Sequence, residues 1–76
     1  MTISDVVLHV DETLDARARH NLEDQMRSIE GVISPGFNER TPHLMVVAYN
    51  PDRVRAVQLL DAVTHQGYHA QYCGMI

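Results

Sequence analysis

His43-Leu44-Met45-Val46-Val47-Ala48-Tyr49, followed by Asn50-Pro51-Asp52, is the stretch that decides how this chain folds. Seven residues rich in β-branched and large apolar side chains read as a strand. Asn50-Pro51-Asp52 stops it and opens a helix, with Pro51 or Asp52 near the first turn. Downstream, Val54, Ala56, Leu59, Leu60 and Val63 carry a helical stripe to about His65, and Gln66-Gly67 closes it. Tyr68 to Cys73 then reads as a last strand. Upstream, Asn38-Glu39-Arg40-Thr41-Pro42 is a loop longer than a two-residue hairpin turn. Before it, Val32 to Phe37 forms a strand that Ser34-Pro35-Gly36 marks as an edge or a bulge.

Further toward the N-terminus, Leu14, Ala18, Leu22, Met26 and Ile29 recur at steps of four, four, four and three, which is helical spacing. Glu30-Gly31 ends that helix, with Gly31 where a left-handed residue is common. Asp11-Glu12-Thr13 separates it from a first strand, Ile3 to Val10, in which Val6, Leu8 and Val10 alternate on one face. The order is βαββαβ. It predicts an α+β, ferredoxin-like sandwich: one four-stranded antiparallel sheet with two helices on one face.

Composition bounds the function. The chain has 76 residues, 45% apolar and 21% charged, which is the size of a single domain over residues 1–76. One cysteine excludes an internal disulfide, so a metal or a partner subunit is the remaining way to brace so small a core. No apolar run approaches the length of a membrane span, and Met1-Thr2-Ile3-Ser4-Asp5 lacks the basic start of a leader. A cytoplasmic protein without membrane insertion is the expectation. Six scattered arginines, no lysine and a net charge of −4 argue against nucleic-acid binding. No Gly-rich phosphate loop and no serine–histidine–acid pattern is present, so an enzyme is not expected.

Three segments carry a family resemblance over nearly the whole chain: Ile29-Glu30-Gly31-Val32, Val46 to Val54, and Leu59 to Ala70 with its Gly67-Tyr68-His69-Ala70 end. They resemble the heavy-metal-associated domain of small copper chaperones and of the N-terminal modules of metal-pumping ATPases. The resemblance implies the ferredoxin-like fold and a role in metal binding or trafficking. That family carries Met-x-Cys-x-x-Cys between the first strand and the first helix. Counted back from Gly31-Val32, those positions fall at Thr13, Asp15 and Ala18. Aspartate and alanine do not replace thiolates for a soft Cu(I) ion, so the family's usual site is not carried over.

Histidines supply an alternative. The predicted topology gathers the exit of the first strand, the central hairpin and the start of the last strand at one end of the sheet. His9, His43, His65 and His69 map there. Alternation places His9 and His69 on the face turned away from the helices, nearly opposite one another on neighbouring strands. Paired imidazoles suit Zn, Ni, Co or Cu(II), with His43 or Asp11 as a third ligand. A transition-metal ion, copper or zinc, is therefore the expected cargo, held less well below about pH 6 as imidazole protonates. Half-exposed strand-end histidines without any ligand are the alternative. Cys73 lies on the order of 13 Å beyond His69 along the strand, so as a soft ligand it serves only between chains. His20 falls on the solvated face of its helix.

The same alternation turns Val7, Leu44, Val46 and Ala48 outward as one patch on the open side of the sheet. A contiguous apolar group there predicts a homodimer or a protein partner docked face to face. The alternative function is a metal-free ferredoxin-like interaction module using that face.

Overall fold

The computed structural model describes residues 2–75, with Met75 as backbone. The elements are β1 (Ser4–Val10), α1 (Ala16–Arg27), β2 (Val32–Asn38), β3 (Thr41–Tyr49), α2 (Ala56–His65) and β4 (Ala70–Met75). The sheet runs β2-β3-β1-β4 with every neighbour antiparallel. This is the βαββαβ ferredoxin-like arrangement that the sequence predicts. Among the described residues no helix is long and apolar enough to cross a membrane.

The two central strands make the floor of the core. Val6, Leu8 and Val10 of β1 and Met45, Val47 and Tyr49 of β3 are each at most 4% exposed. Register stacks Val6 against Val47 and Leu8 against Met45. Leu22 and Met26 of α1 and Leu59 and Val63 of α2 close over them. Burying one such side chain is worth about 1.5–3 kcal/mol, so this layer is the main source of stability in a chain without disulfides.

The element ends depart from the apolar pattern for local reasons. Leu14 and Ile29 pack on the core yet lie outside α1. The helix starts only where Asp15 caps it, and ends where the Ser28 and Ile29 amides turn back to Gln25 and Met26 carbonyls in tighter turns. The stripe thus records burial rather than helical hydrogen bonding. Similarly, α2 begins at Ala56, not at Pro51 or Asp52. The Asn50 carbonyl accepts from Arg53 and Val54 N–H groups, and its Oδ1 accepts from Asp52 N–H, so this segment is a self-contained turn. The helix is opened instead by Gln58 Oε1 accepting the Arg55 N–H at 2.8 Å.

Two irregularities bear on the site. The β2–β3 connection is the two-residue turn Glu39-Arg40, shorter than predicted, because Asn38 pairs with Thr41. The next pair is Phe37 with Met45, which leaves Pro42, His43 and Leu44 without partners on β2. The start of β3 is therefore bulged, as a proline lacking an N–H encourages. On the other side of the sheet Val7 pairs with Gly74 and Leu8 with Tyr72, so Cys73 is the extra residue of a second bulge.

Candidate metal centre

His9 is the last outward residue of β1, opposite Leu44 on one side and Gln71 on the other. His69 lies just before β4, where its carbonyl accepts the Asp11 N–H at 2.8 Å. The two histidines are thus offset along the strands instead of facing one another. What meets His9 is His43: the rings stack with centroids 5.7 Å apart and planes 13° from parallel. The bulge of β3 allows this, since His43 lies in the stretch released from pairing with β2. Periodicity alone carries no sign of it.

Each of the three imidazoles is held through the same nitrogen. His43 Nδ1 lies 2.8 Å from the Val10 carbonyl. His9 Nδ1 lies 3.0 Å from Asp11 Oδ1, and His69 Nδ1 lies 2.7 Å from Glu12 Oε2. A carbonyl and carboxylates only accept, so Nδ1 carries the hydrogen in all three rings. In a neutral ring that leaves the lone pair on Nε2. This is how metal-ligating histidines are commonly oriented and made more basic. Asp11, a candidate third ligand from the sequence, is therefore a support for His9.

Glu12 is the residue the sequence reading missed. It sits on the β1–α1 loop and takes two hydrogens from His69: the ring's, and the backbone N–H at 2.8 Å. The side-chain hydrogen bond from His69, then the backbone one, hold its carboxyl below the ordinary 4.5. The hydrogen bond to Glu12 and its charge, with a lesser pull from Asp11, raise His69 above the ordinary 6.5. The partners are 57 residues apart, so no local signal announces them.

Asp15 and Ala18, where the resemblance would put the copper chaperones' thiols, are tied to each other. Asp15 Oδ1 accepts the Ala18 N–H at 2.8 Å and thereby caps α1. A capping carboxylate and a methyl group offer no pair of soft donors, so a two-thiolate Cu(I) site does not fit these residues. Among the described residues no three or more of His, Cys, Asp and Glu converge to hold a metal. His9 and His43 meet, His69 stands apart with Glu12, and Cys73 is exposed on the β4 bulge. His20 is solvent-facing as expected and lies 3.3 Å from Asp24.

The outer face of the sheet holds the patch read from the sequence. Val7 lies opposite Val46, His9 opposite Leu44, and Asp5 opposite Ala48. Val46 is 42% exposed, and Val7, Leu44 and Ala48 are half-buried.

No protein-family sequence model matches the chain, and neither does any curated protein. Solved structures do match. The Cu(I)-loaded N-terminal domain of a potential copper-translocating P-type ATPase from Bacillus subtilis superposes with a TM-score of 0.87 at 23% identity, covering 99% of this chain and 92% of that one. Oxidized MerP from Ralstonia metallidurans gives 0.84 at 18% identity, over 96% and 100% of the two chains. The CopZ metallochaperone gives 0.79 at 25% identity, over 88% and 98%. In fold, then, this chain is a structural relative of the heavy-metal-associated domains of copper-binding chaperones and P-type ATPases.

Proposed function

We propose that this protein binds and hands on a borderline transition-metal ion, copper(II) or zinc among them, through histidines at the loop end of the sheet. His9 and His43 are the primary ligands, and His69, held apart by Glu12 at the same end of the sheet, is a candidate third. The observation that carries the reading is the stacked pair with both Nδ1 atoms engaged by oxygens, which leaves Nε2 to a metal. The near-parallel rings keep those lone pairs in nearly parallel planes. Convergence on one ion takes rotation of a ring about χ2, a broad torsion in histidine, with a matching shift in that ring's Nδ1 hydrogen bond. The fold relatives named for copper translocation and metallochaperone activity support a carrier role, not catalysis. A reducing, cytoplasmic setting suits a chain whose one cysteine is exposed and unpaired.

Native mass spectrometry tests this. The protein is titrated separately with Cu(I), Cu(II), Zn(II), Ni(II) and Co(II) against a competing chelator. A saturable divalent complex lost in His9→Ala/His43→Ala is the expected result. Binding that follows Cys73 instead refutes the histidine site. No metal surviving the chelator favours the second reading, a metal-free interaction module. That reading draws support from the absence of a three-donor cluster among the described residues.

A further inference from the structure

The stacked histidines and the apolar patch share one border. His9 points out of the sheet in the row shared with Leu44, and the next outward row pairs Val7 with Val46. Two imidazoles are too few for zinc or nickel, which take four or more ligands, and no third donor converges among the described residues. A zinc or nickel ion held here would therefore need donors from outside the chain, water or a second molecule. The outer face itself indicates their source. Asp5 is the one charged residue on the outward rows of β1 and β3, whereas α1 alone carries Arg17, Arg19, Glu23, Asp24 and Arg27. In a chain of net charge −4, this is the surface that a second copy can approach with little repulsion.

We infer that the His9–His43 pair is half of a metal site, completed when a second copy of this chain docks on the outer sheet face and supplies the same pair. The contact is isologous: Val7, Leu44 and Val46 of one copy meet their equivalents about a two-fold axis. Covering the apolar rows and closing a four-imidazole shell then reinforce each other. The inference rests on the histidine reading above and adds to it a stoichiometry of one ion per two chains.

Native mass spectrometry and sedimentation velocity are run on the same samples with Zn(II) and Ni(II). The wild-type protein is compared with Val46→Glu, Val46→Thr and His9→Ala/His43→Ala. Val46 is 42% exposed, so its variants keep the fold; circular dichroism verifies this. The expected wild-type species is a dimer with one metal. Val46→Thr keeps it, and the histidine variant loses the metal. In Val46→Glu, like charges meet across the axis and the dimer midpoint rises about tenfold or more. One metal on a monomer overturns the shared site while leaving the histidine reading intact. No retained metal overturns both. A metal-bridged dimer indifferent to Val46→Glu overturns the docking face.

Discussion

The two ends of the sheet are built on different principles. At the end where β2 begins and β3 finishes, the bare Gly31 backbone packs against the Arg53 and Val54 side chains. Gly31 has φ +98°, and a Cβ there would lie 2.8 Å from Arg53 Cβ and 2.9 Å from Val54 Cγ1. Its carbonyl accepts the Asn50 N–H at 2.7 Å. At the other end, side chains reach across exposed loops: His9 to Asp11, His43 to the Val10 carbonyl, His69 to Glu12. Two of the three family-like segments, Ile29 to Val32 and Val46 to Val54, converge on the packed end, while the third, Leu59 to Ala70, finishes at the histidine end. The departures lie at the histidine end too: Thr13 on the β1–α1 loop, Asp15 at the cap of α1 and Ala18 in its first turn. The packed end leaves no room for a side chain at Gly31, whereas at the exposed end side-chain hydrogen bonds hold the strands' exits together.

Substitutions at the two ends sharpen this contrast. Gly31→Ala has the largest expected effect: about 1–3 kcal/mol from left-handed strain and about 1–3 kcal/mol more from overpacking against Val54. It is read as a lowered urea midpoint. Asp15→Ala removes the cap on Ala18 and costs about 0.5–2 kcal/mol, with the core unaltered; Asp15→Asn recovers most of it. If Asp15→Ala proves the more damaging, the loop end carries the fold and the contrast is wrong.

The Glu12–His69 pair gives the loop end a pH dependence. Glu12's depressed value means its contribution is present above 4.5 and fades as pH falls through the lower folded value. His69's raised value means its contribution is full below 6.5 and fades as pH rises through the higher folded value. Protection of the His69 amide, measured by hydrogen exchange and corrected for intrinsic rate, should therefore be greatest between 4.5 and 6.5. Glu12→Gln should flatten that profile. An unchanged profile would show that the clamp does not persist in solution. The smallest effect is expected for Arg53→Ala. It breaks an exposed 2.8 Å ion pair with Glu30 and should cost at most about 1 kcal/mol in the urea midpoint. A larger loss would mean that charge, as well as close packing, holds the Gly31 end.

The sequence made the core legible because burial leaves periodic marks: Val6, Leu8 and Val10 alternate, and Leu22, Met26, Leu59 and Val63 recur at helical spacing. It did not mark where hydrogen bonding stops. Leu14, Ile29 and Val54 are core residues outside the helices their stripes implied. The site was legible as a list of histidines at one end, but not as pairs. Pairing depends on the β3 bulge around His43 and on the register that sets His9 opposite Gln71. Neither leaves a mark in a two-residue or 3.6-residue period. Glu12 was hidden for the same reason, its partner being joined through tertiary structure alone.

The edge strand β2 has a further consequence. Pro35 has no N–H to offer, and the Phe37 N–H, two residues on, is taken by Glu23 Oε2 at 2.7 Å. That border of the sheet is thereby less receptive to an incoming strand than an edge with all its donors free. An incoming strand at β2 would therefore lack two of the donors it needs. One carboxylate and one proline thus guard the β2 border of this small domain against cross-strand pairing.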